Sequence, residues 1–209
     1  MESIQKKLQE CVSEFEKEDL DYYNAVQQTF HNYPNNIDVV AVAIKFSVLN
    51  QLYSTVIFDK DRMISHIHNL AAEENLDSML QKGDLEAINK IRFGHGILTQ
   101  SKNERDNYSF ATKYCHFSNP KCYPVYDQYV FDALIDLLEN NYIKFQKEDL
   151  KKPQEFEGAI SQVIKLMGFT DLKDYQKVDR ALWIYGQYID GELDVPGLPK
   201  VRALTHHQC

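Results

Sequence analysis

Residues 109–130, "SFATKYCHFSNPKCYPVYDQYV", decide how this chain is read. Lys113, His116, two cysteines, four tyrosines, two prolines and Asp127 stand here between two apolar helical patterns. The spacing predicts a helix over 108–117. "SNPKCYP" cannot continue it, because proline lacks a backbone N–H and its ring clashes with the preceding turn. Asp127 then opens "QYVFDALIDLLEN" (128–140), since an aspartate side chain accepts the orphan N–H groups of a helix start. Four readings compete. They are a metal site, a Cys115–His116 nucleophile, a capped corner with tyrosines packed around it, and a catalytic loop ending on Asp127. Zinc would lack a fourth ligand at suitable spacing. Adjacent helix residues point about 100° apart, so Cys115 and His116 do not face each other.

Working outward, the apolar period is helical nearly everywhere. Residues 3–32 form one or two helices, with Leu8, Cys11, Val12, Phe15, Leu20, Tyr23, Val26 and Phe30 on one stripe. "NYPNN" breaks the pattern. Asp38 caps "DVVAVAIKFSVLNQLYSTVI" (38–57), the most apolar segment, which reads as the central buried helix. Amphipathic helices follow over 60–73 and 84–100, with a short piece ending at Gly83 between them. Beyond the odd stretch, helices are expected near 153–167 and over 172–189, then an irregular tail ending in "THHQC". The expectation is one all-α domain of about nine helices over 1–209. Residues 1–33 would be an N-terminal helical extension and 190–209 the irregular tail.

The hydrophobic share of 44% and charged share of 26% fit a soluble globular chain. No apolar run reaches the roughly 20 residues needed to cross a bilayer, and the mixed-charge N-terminus has no signal-peptide core. The expected setting is the cytoplasm, without a membrane partner. Cys11, Cys115, Cys122 and Cys209 form no regular framework, so they are expected as free thiols. The net charge of −8 argues against a general nucleic-acid coat. Its distribution is uneven. Residues 90–121 hold six bases (Lys90, Arg92, Lys102, Arg105, Lys113, Lys121) and two acids, a local balance of +4. Such a segment could meet phosphates while the other faces repel them.

A helix, a polar hairpin, a short second helix, a loop ending apolar–Pro–apolar and an aspartate at a helix start occur here in that order. This order, and "YPVYDQYV" in particular, resembles the helix-hairpin-helix DNA glycosylase superfamily. The resemblance covers about residues 35–190 and its specific part is short. It implies a helical fold with a central cleft, acting in DNA repair on DNA that carries a damaged or modified base. Asp127 falls at the catalytic carboxylate, and Lys113 is the second candidate catalytic residue. Asn50, Gln51 and Tyr53 fall where the family's early helix reaches the DNA stack. Tyr126 and Trp183 are candidate walls for an extruded base. The family's glycine-rich hairpin is replaced by "QSKNERDNYSFATKY", so phosphate contacts would fall to Lys102, Arg105 and Ser109. The position of the bifunctional members' lysine falls at or beside Tyr108, which implies a monofunctional hydrolase. The four-cysteine cluster of some members is absent, so no iron–sulfur centre, metal or other cofactor is expected. The alternative is a helical binding module that keeps the fold without activity.

Overall fold

The computed structural model describes residues 3–18, 20–94, 96–97, 104–169 and 175–200; the "THHQC" end lies outside them. Among the described residues the chain is all-helical, as the period predicts, with ten α-helices and one 3-10 turn at Lys147–Asp149. They gather into two compact units, residues 21–125 and residues 1–20 with 126–209.

The unit of residues 21–125 holds α2 (Leu20–Asn32), α3 (Val39–Leu52), α4 (Lys60–Glu74), α5 (Leu76–Lys82), α6 (Glu86–Arg92) and α7 (Tyr108–Ser118). Asp38 caps α3 as expected, its carboxylate accepting the Val40 N–H. The central helix, however, is α7 and not α3. Tyr108 and every residue from Phe110 to Phe117 are buried. α3 buries only Ala41, Val42, Lys45, Phe46 and Leu49, and leaves Val39 and Val40 exposed on its other side. Hydropathy pointed to α3 because α7 carries Thr112, Lys113 and His116. Those polar groups are buried with local partners, so their polarity does not hold the helix at the surface.

α3 also ends five residues short of the predicted 57. Tyr53 is its C-cap. The Asn50 side chain then takes over the backbone beyond it, Oδ1 accepting from Thr55 Oγ1 (2.7 Å) and Ile57 N (3.0 Å). An asparagine that bonds local backbone in this way competes with helix propagation. The helix expected over 84–100 ends at Arg92, where Phe93 leaves helical dihedrals just before Gly94.

The other unit contains α1 (Ile4–Glu18), α8 (Gln128–Glu139), α9 (Pro153–Leu166) and α10 (Tyr175–Ile189). The stretch read as an N-terminal extension is thus divided, with Leu8, Cys11 and Phe15 of α1 buried in this unit and Tyr23, Val26 and Phe30 of α2 buried in the first. α10 packs on α1, α8 and α9. Its Gly186 lies against the backbone of Tyr129 on α8. Trp183 meets Phe15 and Tyr129 edge-on, at 5.8 and 6.0 Å between ring centroids.

Candidate functional site

Asp127 is half-buried in extended backbone at the N-terminus of α8, and its Oδ1 accepts the Val130 N–H at 3.0 Å. The helix end places a partial positive charge beside this side chain. Beside it in sequence, Tyr126 packs edge-on against Phe131 (6.3 Å) and Phe156 (5.4 Å). Trp183 is half-buried in the ring contacts given above. Asp127, Tyr126 and Trp183 all belong to the unit of α8 and α10.

Asn50, Gln51, Tyr53, Arg105, Ser109 and Lys113 belong to the other unit. Lys102 lies outside the described residues. Lys113 is 2% exposed; its Nζ donates to Ser109 Oγ (2.9 Å) and lies 5.7 Å from the centroid of the Tyr53 ring. Lys113, Ser109 and Tyr53 are therefore brought together, with the amine inside the protein. Gln51 is exposed, while Asn50 is turned back on its own chain.

That turn is the most unusual backbone in the unit. Ser54 and Val56 have φ of 47° and 53°. A positive φ is a genuine outlier for a β-branched residue, and such strain persists only where surroundings over-determine it. Two clamps do so here. Asn50 holds Thr55 and Ile57, its Nδ2 also donating to Ile57 O (3.3 Å). Arg105 donates through Nη2 to Thr55 O (2.7 Å) and through Nη1 to Val56 O. Partial burial lowers the Arg105 pKa from its ordinary value. The outcome is a fixed turn presenting two apolar side chains to solvent, Val56 at 49% and Phe58 at 73% exposure.

The basic segment is largely engaged within the chain. Lys90 pairs with Glu74, and Arg92 grips Asp106 through Nε (2.6 Å) and Nη2 (2.7 Å). Arg105 holds the turn and Lys113 is buried.

Two readings of the odd stretch lose their chemistry. Cys115 is fully buried and burial pushes its thiol well above the ordinary range, which keeps it protonated and a poor nucleophile. His116 faces Tyr23 Oη through Nε2 (3.0 Å) and Tyr123 O through Nδ1 (2.7 Å), so both ring nitrogens are taken up in packing. Among the described residues no three His, Cys, Asp or Glu side chains gather as metal ligands.

Sequence reasoning passed over a second buried polar cluster. Lys45 Nζ donates to Asn35 O (3.0 Å) and Asn36 Oδ1 (2.5 Å). Tyr114 Oη donates to the same Asn36 oxygen (2.5 Å), and Asn36 in turn donates to Asp77 through N and Nδ2. The signal was present: Lys45 shares the inward stripe of α3 with Ala41, Val42, Phe46 and Leu49, at helical spacing in the most apolar segment.

Residues 3–122 match the model of the HI_0787_N family, an N-terminal domain. The chain is also 31% identical over 144 residues to a Haemophilus influenzae protein described as an uncharacterized protein, a match covering 68% of this chain and 65% of that one. No solved structure matches the chain.

Proposed function

Starting from the premise that the chain belongs to the HI_0787_N N-terminal domain family, we propose that it is a monofunctional DNA glycosylase-like hydrolase in which Asp127 is the catalytic carboxylate. The observation that carries this reading is the clamped turn of residues 53–58. Proteins that distort duplex DNA insert apolar wedges between base steps, and a wedge must be stiff to unstack bases instead of folding away. Val56 and Phe58 are exposed, and their turn is fixed by Asn50 and Arg105. In this reading Asn50 and Arg105 act through the turn they hold.

Cleavage of an N-glycosidic bond develops positive charge on the sugar. A carboxylate held as the anion stabilises that charge and orients a water, whose oxygen is added to the anomeric carbon as the base departs with a proton. The buried amine of Lys113 favours the hydrolytic course over attack by lysine, since a nucleophilic amine must reach the sugar.

The test is base release from a panel of duplexes carrying damaged or modified bases. Asn caps a helix as well as Asp does, so Asp127→Asn should leave the thermal midpoint nearly unchanged while removing the charge. Release should fall at least about 100-fold, the size of losing a preorganised electrostatic contact. Phe58→Ala should weaken duplex binding with little change in stability. Equal release by wild type and Asp127→Asn would remove that residue from the chemistry. A second reading, a helical module without activity, is favoured by the internal pairing of Lys90, Arg92 and Arg105. Absence of release from every duplex in the panel, with Phe58→Ala binding as wild type does, would select it.

A further inference from the structure

Lys45 is 1% exposed. An ammonium carries three N–H donors. Two go to neutral acceptors, the Asn35 carbonyl and the Asn36 side-chain oxygen. Its other contacts among the described residues are ring faces, with Nζ 5.5 Å from the centroids of both Phe30 and Tyr114. Among the described residues Asp77 is linked to it through Asn36, whose backbone N–H donates to Asp77 Oδ2 and whose Nδ2 donates to Oδ1. A buried charge ordinarily touches a counter-ion. Here the carboxylate is one residue removed, and among the described residues the hydrogen-bond acceptors of this ammonium are these two neutral oxygens. Burial lowers the Lys45 pKa to about 8, an effect that Asp77 opposes.

Lys45 also lines a cavity of about 270 Å³. Phe30, Phe117 and Pro34 give it apolar walls, and Gln27 and His31 of α2 bring N–H groups. No Asp or Glu lines it. The volume is just below the roughly 300–1,000 Å³ of pockets that hold drug-sized ligands, which sets the occupant as small.

We propose that this cavity binds a small aromatic monocarboxylate, whose anionic oxygen accepts the third Lys45 N–H while its ring lies against Phe30, Phe117 and Pro34. Such a ligand supplies the counter-ion that the fold leaves out. It also covers the aromatic wall of the cavity. The proposal is independent of any action on DNA.

The test uses the full chain at pH 7 with sodium benzoate and sodium phenylacetate as probes, followed by titration calorimetry and thermal shift. Sodium acetate, inorganic phosphate and benzyl alcohol are the comparators. One of the two aromatic carboxylates should bind saturably and raise the thermal midpoint, at least tenfold more tightly than any comparator. Gln27→Trp fills the cavity from α2 without touching Lys45 and should abolish the response in a protein of unchanged midpoint. Lys45→Met should weaken binding at least tenfold. Affinity should also fall as pH rises past 8, where the ammonium loses its proton; the other titratable groups facing it are Asp77 on α5, Tyr114 on α7 and His31 on α2. No response to either aromatic carboxylate overturns the proposal. So does equal affinity for benzyl alcohol, acetate or phosphate, or an undiminished response in Gln27→Trp.

Discussion

Replacing Gly186 by alanine is expected to cost about 3 kcal/mol or more of folding stability, seen as a fall of roughly 10 °C in thermal midpoint for a chain of this size. A Cβ at this position would lie 2.7 Å from the carbonyl carbon of Tyr129 and 2.8 Å from its Cα. Both obstacles are backbone, so no rotamer change makes room. α10 must move away from α8, and α10 is also the helix that packs on α1 and α9. The displacement would therefore loosen the edge-on ring contacts of Trp183 with Tyr129 and Phe15 as well. Gly158, in the middle of α9, is the internal control because a Cβ there meets nothing within 4 Å. Gly158→Ala should stabilise the chain by about 0.5–1 kcal/mol, the ordinary gain of alanine over glycine inside a helix. If the two variants unfold at the same urea concentration, the close approach of α8 and α10 is not a determinant of stability.

The second large effect is a pH dependence carried by Lys45. Its folded pKa is lowered from 10.5 to about 8 by burial. Below pH 8 the amine is protonated in both folded and unfolded chains, and it contributes no slope. Between pH 8 and 10.5 the unfolded chain still holds this proton and the folded chain does not. The unfolded state then binds more protons, so this group makes stability rise with pH across that window. The shift corresponds to about 3 kcal/mol at 1.36 kcal/mol per pH unit. Stated the other way, the chain carries a buried charge at neutral pH that costs it about that much. Tyr114 and Tyr123, both raised above their ordinary range by burial, work in the opposite sense at high pH. Their contribution is common to wild type and Lys45→Met, so the comparison between the two isolates the lysine. The stability difference, wild type minus variant, should grow by about 3 kcal/mol from pH 7.5 to 10.5 in urea titrations. A difference that stays flat would mean that the ammonium is solvated in the folded chain.

The helical class was legible because apolar spacing and capping chemistry agree along the chain. Asp38 and Asp127 both cap the helices that their positions predict. The core was harder to read. Window hydropathy ranks α3 above α7, yet α7 is the buried helix, because what decides burial of Lys113 or His116 is whether a partner waits inside. Lys113 finds its partner one turn back on its own helix, whereas His116 is satisfied by the turn at Tyr123 and by Tyr23, 93 residues away, which no local pattern announces. The same limit hid the turn after α3. Nothing in "NQLYSTVIF" marks Val56 as a residue with positive φ, since the clamp that holds it there, Arg105, is 49 residues away. As for the candidate site, the position of Asp127 at a helix start was readable from the prolines before it. The internal pairing of Lys90, Arg92 and Arg105 was not, and a simple count of charges overstated the free positive charge of residues 90–121.

The burial of α7 bears on the order in which the chain acquires structure. Its hydrogen bonds reach back 93 residues, from His116 to Tyr23, and 78 residues, from Tyr114 to Asn36. During synthesis α3 to α6 emerge before α7 and can pack on one another, but the faces that they and α2 turn toward α7 stay uncovered until residues 108–118 leave the ribosome. Nascent chains arrested before that point should expose apolar surface and be easily cleaved by proteases, and resistance should appear abruptly once α7 is available. A gradual gain of resistance from α2 onward would mean that the earlier helices assemble by themselves.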